Sequence, residues 1–170
     1  MDVSEQSVAL VCEHDIVIDT NVFVHSHNAD VDYHESALLI MTWMANSSVT
    51  LVLDDTGKIQ PDYATSHLFS EYRRHIGEGT LPWIVLEGLL EAGRVIFVAR
   101  PPHDLSRELK EKFPSNKADR AVAGAACMSQ DKTLVTNDWG DFTRDVRKWL
   151  KKAAKVDCLD SDGCLGETTS

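Results

Sequence analysis

Short β-type apolar runs alternate along this chain with longer stretches of helical periodicity. Strands are expected at residues 15–18, 49–53, 94–99 and 133–137, with a fifth, edge strand at 156–159. Helices are expected between them. In residues 34–45 the apolar positions Leu38, Met41 and Trp43 recur at helical spacing. Pro61 fits the first position of a helix running to about Ile76, with Gly77 and Gly79 past its end. Residues 81–92 form a further helix stopped by Gly93, and 105–112 a short charged one stopped by Pro114.

The helix expected at 117–130 carries Ala118, Ala121, Ala123, Gly124, Ala125 and Ala126, small side chains that let it lie close against a sheet. The last, 143–155, places Val146, Trp149, Leu150 and Ala153 on one face and its bases on the other. Strand–helix alternation of this kind implies an α/β domain with a parallel sheet covered on both faces.

The polar residues that end these runs add chemistry. The run 16–18 stops in Asp19-Thr20-Asn21, and the run 133–135 stops in Thr136-Asn137-Asp138-Trp139-Gly140-Asp141. In open α/β sheets ligands bind at the carboxyl ends of the strands. Asp19, Asp138, Asp141, Asp119 and Asp62 all fall at a strand's carboxyl end or in a helix's first turn, positions that share one sheet edge. Each alone is explained by turn formation or capping: Asn116 fits an N-cap, with Asp119 three residues on. Together they predict a cluster of like charges that is hard to keep ionised without a cation.

Composition narrows the class. The chain has 170 residues, 43% hydrophobic and 26% charged, and suits one domain with a sizeable core. No apolar run approaches the roughly 18–20 residues that span a bilayer, so no membrane partner is expected. The start of the chain, with its acidic residues and short apolar run, does not read as a secretory signal. Cys12, Cys127, Cys158 and Cys164 show no zinc spacing. A reduced, cytoplasmic protein is the simpler reading, although Cys158 and Cys164 lie close enough in sequence to pair. The net charge of −10 is unevenly spread: residues 1–72 hold twelve acids and one base, Lys58. Arg144, Arg147, Lys148, Lys151, Lys152 and Lys155 crowd near the end with only Asp145 among them. That stripe reads equally as a phosphate track or as a solvated helix face.

Three segments carry a family resemblance. The Ile-Asp-Thr-Asn at 18–21, the Asp-Arg-Ala-Val-Ala-Gly-Ala-Ala helix from Asp119, and the Leu-Val-Thr-Asn-Asp-Trp-Gly-Asp-Phe run to Phe142 resemble, in order and spacing, the signatures of PIN-domain nucleases. The resemblance covers residues 14–160, leaving 1–13 as an extension and 161–170 as a flexible tail. It implies a three-layer α/β/α domain whose roughly five parallel strands run in the order 3-2-1-4-5. Asp19, Asp119 and Asp138 would take the family's acidic positions and Asp141 its variable fourth, these four holding Mg²⁺ or Mn²⁺. Asn21, Thr136 and Asn137 would support them.

The family's Glu near the helix after the second strand has two candidates here, Asp62 and Glu71. Nine residues along one helix would point them apart, and Asp62 is preferred. The implied activity is endonucleolytic hydrolysis of phosphodiesters in RNA by a metal-activated water, leaving a 5′-phosphate. The nucleic-acid contacts would be Arg144, Arg147, Lys148, Lys151 and Lys152. An antitoxin-like inhibitor protein and a homodimer stay open as partners. Two alternatives also stay open: a catalytically weakened domain that binds nucleic acid or protein, and a phosphatase acting on small phosphoesters.

His25-x-His27 follows the first strand without a third Cys or His ligand nearby, so a surface or hinge role fits better than a transition-metal site. Gly57-Lys58 lacks the earlier glycine of a phosphate-binding loop. Trp139, inside the acidic motif, is the one tryptophan placed to stack on a base.

Overall fold

The computed structural model describes residues 12–55 and 65–166. Among these, strands β1 (Asp15–Ile18), β2 (Thr50–Asp54), β3 (Val95–Val98), β4 (Thr133–Val135) and β5 (Asp157–Leu159) form one sheet in the order β3-β2-β1-β4-β5. Every neighbouring pair is parallel. Helices α1 (Thr20–His25), α2 (His34–Asn46), α3 (His67–His75), α4 (Leu81–Glu91), α5 (His103–Lys112), α6 (Lys117–Met128), α7 (Arg144–Ala154) and α8 (Ser161–Cys164) connect and cover it. The fold is therefore the expected three-layer α/β/α arrangement with its expected strand order. No helix among the described residues is long and apolar enough to cross a membrane.

Burial explains the strand order. β1 is central, and Ile16, Val17 and Ile18 have no exposed surface, as a strand covered on both faces requires. β3 is an edge, and all four of its residues remain partly exposed. The small residues of α6 act as read from the sequence: Ala123 and Ala126 are fully buried, and a Cβ at Gly124 would stand 3.4 Å from Pro101. Cys12, Cys127 and Cys164 are buried, and Cys127, Cys158 and Cys164 are free thiols.

Two boundaries differ from expectation because capping decides them. The helix expected from Pro61 instead begins at His67: Ser66 is extended and its hydroxyl accepts the Phe69 N–H. Asp54 at the end of β2 reinforces that start by accepting the Ser66 hydroxyl at 2.7 Å and the N–H groups of His67 and Leu68 at 3.0 and 2.8 Å. Pro61 and Asp62 lie outside the described residues. Asp19 caps α1, a six-residue helix absent from the sequence reading, by accepting the Thr20 N–H at 2.8 Å.

The chain after Leu159 is not loose at its start. Asp160 caps α8, and Ser161 and Cys164 are fully buried. α7 buries Val146, Leu150 and Ala154, with Ala153 turned outward, and ends in Lys155 at φ 62°.

A candidate acidic active site at the carboxyl edge of the sheet

The site is assembled from four parts of the fold. β1 delivers Asp19, α6 delivers Asp119 from its first turn, the loop after β4 delivers Asp138 and Asp141, and α3 delivers Glu71. Asp19, Glu71, Asp119 and Asp138 line one cleft of ≈340 Å³ together with Asn21 and Asn116. Carboxylate oxygens of Asp119, Asp138 and Asp141 lie within 4.8 Å of one another.

Each acid is held differently. Asp19, only 7% exposed, receives the Thr136 hydroxyl at 2.8 Å and the Asn21 amide at 3.2 Å on its Oδ2. Thr136 in turn accepts the Asp138 N–H at 3.2 Å. Asp138 Oδ1 accepts the N–H groups of Gly140 and Asp141, both at 3.1 Å, which curls the loop after β4 back on itself. Asn116, read from sequence only as a cap, does more. Its Oδ1 accepts the Asp119 N–H at 3.1 Å while its Nδ2 donates to Asp141 at 3.3 Å. It therefore fixes two of the acids at once, and its place three residues before Asp119 was the only sequence signal for that.

Glu71 is brought in by its neighbour. Tyr72 is fully buried and its hydroxyl donates to the Ile18 carbonyl at the end of β1, so the residue before it reaches the cleft beside Asp19. Arg74 and His75 flank the Glu71 carboxylate at 3.3 and 3.2 Å. The preference for Asp62 assumed one continuous helix from Pro61, and that premise fails at Ser66.

The electrostatics follow from crowding. Burial pushes the Asp19 carboxyl up to about 6; the Thr136 and Thr20 hydrogen bonds pull it down, and the charges of Asp138 and Glu71 push it further up. Asp119 is pushed up to about 8, first by burial, then by a carboxyl–carboxyl hydrogen bond to Asp141 and by the charges of Asp19, Asp141 and Asp138. Its Oδ2 is buried with no hydrogen-bond partner among the described residues. A buried carboxylate oxygen without a donor, on a side chain crowded by other carboxylates, is satisfied by a proton or a cation. An all-carboxylate donor set suits hard divalent cations such as Mg²⁺ or Mn²⁺, so these residues fit the metal that the sequence implies.

The remaining expected residues divide. Asn137 turns away from the acids: its amide meets Ser161 Oγ at 2.7 Å and His25 Nδ1 at 3.1 Å, tying the motif to α8. His25 thereby has a hydrogen-bond partner within the fold. Trp139 presents one ring face to the Arg147 guanidinium, 4.0 Å from the ring centre. Arg147 also donates to the Phe142 carbonyl, and Lys151 pairs with Asp157 at 2.7 Å. Arg144, Lys148 and Lys152 are exposed on α7.

No protein-family model and no curated protein matches this chain.

Proposed function

We propose that the protein is a metal-dependent nuclease of the PIN type that hydrolyses phosphodiester bonds in RNA. Two observations carry this reading: Asp119, Asp138 and Asp141 gather their carboxylates at the sheet edge where α/β folds bind ligands, and Asp119 keeps a buried oxygen with no hydrogen-bond partner among the described residues. Asp119, Asp138 and Asp141 would hold Mg²⁺ or Mn²⁺, with Asp19 and Glu71 completing the acidic lining. Such an ion, when bound, supplies charge neutralisation at the phosphate and lowers the pKa of a water for attack. The protein's own part is positional. Thr136 and Asn21 fix Asp19, Asn116 fixes Asp119 and Asp141, and Glu71, on the wall of the same cleft, would orient or deprotonate an attacking water.

The deciding experiment incubates labelled single-stranded RNA and DNA with the full chain in Mg²⁺, Mn²⁺ or EDTA. RNA cleavage to 5′-phosphate products in either metal, abolished by EDTA and by Asp119→Asn, is expected. Equal cleavage by wild type and Asp119→Asn would overturn the reading. Metal binding without any cleavage would favour the weakened, binding-only domain.

A further inference from the structure

The first turns of α6 separate two cavities of opposite character. Asn116, Asp119 and Val122 face the acidic cleft, while Lys117, Arg120 and Gly124 line a second cavity of ≈390 Å³ at the carboxyl ends of β2 and β3. Consecutive residues, Asp119 and Arg120, thus serve opposite sides of one helix.

Four cations converge on the second cavity: Arg100 after β3, Lys110 from α5, and Lys117 and Arg120 from α6. Its two carboxylates do not cancel them. Both oxygens of Asp54 are taken up by Ser66 and the first N–H groups of α3, which absorb that charge, and Asp55 is only one more. Among the described residues Lys110, Lys117 and Arg120 enter no ion pair. The Arg120 Nε is buried with no acceptor among the described residues. A guanidinium donor held out of water without a partner, beside two unpaired ammonium groups, calls for an anion.

We propose that this cavity is a phosphate subsite that grips the substrate strand a few nucleotides from the bond being cut. The inference rests on the nuclease reading for what carries the phosphate. A helix with its side chains is about 10–12 Å across, and stacked nucleotides rise by about 3.4 Å each, so a strand lying over α6 reaches from one cavity to the other in about three nucleotides. The arrangement also answers a difficulty of the acidic cleft, whose carboxylates repel a polyanion: the cations behind α6 supply the attraction that the cleft lacks.

The test uses the full chain in EDTA, where nothing is cleaved, with three probes: a labelled single-stranded RNA oligonucleotide, a 5′-mononucleotide and inorganic phosphate. Lys110 and Lys117 are exposed, so Lys110→Gln/Lys117→Gln leaves the fold intact. Loss of two phosphate contacts should flatten the log–log salt dependence of RNA binding by about 1.4 units, and Lys110→Arg/Lys117→Arg should restore it. Arg120→Gln should weaken RNA binding in the same way, with its folding checked by thermal melting.

An unaltered salt slope in the double glutamine variant overturns the proposal. So does wild-type protein that binds none of the probes. Loss of mononucleotide or phosphate binding with RNA binding unchanged overturns it too, and makes the cavity a small-anion site. The two readings separate cleanly. Absence of cleavage in either metal, with a lysine-dependent slope, removes the nuclease and keeps the phosphate site. Normal cleavage with an unaltered slope does the reverse.

Discussion

The Thr136 hydroxyl donates to Asp19 Oδ2 at 2.8 Å, joining the carboxyl ends of β4 and β1 across 117 residues of sequence. Thr136 has no exposed surface, so this bond is shielded from water, and it competes with the burial that raises the Asp19 carboxyl to about 6. Thr136→Val keeps the shape and removes the donor. Metal affinity and kcat should fall by about 10–100-fold, the usual scale for groups that orient a ligand, while Thr136→Ser should retain most of both. Isothermal titration with Mn²⁺ and single-turnover cleavage read the two quantities. Wild-type affinity in Thr136→Val would show that the bond does not position Asp19.

The raised carboxyls also set the pH dependence of stability. Asp19 and Asp119 bind protons more tightly folded, at about 6 and about 8, than at the 3.8 of a free Asp, so the folded state holds the extra protons. Stability from these groups is fully present below pH 4 and is lost as pH rises through 6 and 8. In metal-free buffer the melting temperature should therefore fall between pH 5 and pH 9. Asp119→Asn should melt higher than wild type at pH 8 and show a flatter profile, while being inactive. Saturating Mn²⁺ should raise the wild-type melting temperature at pH 8 and leave Asp119→Asn nearly unmoved.

Glu71 and Asp62 can be separated by substitution. Glu71→Gln should lower Mg²⁺-dependent turnover by about tenfold or more, on the general scale of a positioned acid or base. Asp62→Ala should leave turnover within about threefold of wild type if Glu71 is the fourth acid, a spread that corresponds to under ~1 kcal/mol of barrier. The opposite pattern, measured as kcat under saturating RNA, would return the role to Asp62.

On α7 the exposed Lys148 and Lys152 are distinct from Arg147 and Lys151, which have partners inside the protein. If Lys148 and Lys152 touch the substrate backbone, Lys148→Ala/Lys152→Ala should flatten the salt dependence of RNA binding by about 1.4 units, at roughly 0.7 per contact on a single strand, with kcat at saturation unchanged. An unchanged slope assigns the stripe to solvent.

Periodicity in this sequence determines a great deal. Strands that are apolar on both faces, alternating with helices, leave a parallel sheet as the solution that buries both kinds of surface, and the strand-end acids then fall on one edge. Asp19, Asp119 and Asp138 were legible as a group for that reason. Asp54 was not legible as a cap, because its partners at 66–68 reach it only once α3 packs over β2. Glu71 was legible only as the second candidate beside Asp62, for a similar reason: its position is fixed by Tyr72 reaching the Ile18 carbonyl, a contact between elements that no local pattern encodes. The division of α6 into an anionic and a cationic side was equally silent, since Asp119 and Arg120 are neighbours in sequence. Local sequence fixes which residues share an edge through short-range periodicity, whereas which oxygen is left without a donor depends on long-range packing that only the folded chain completes.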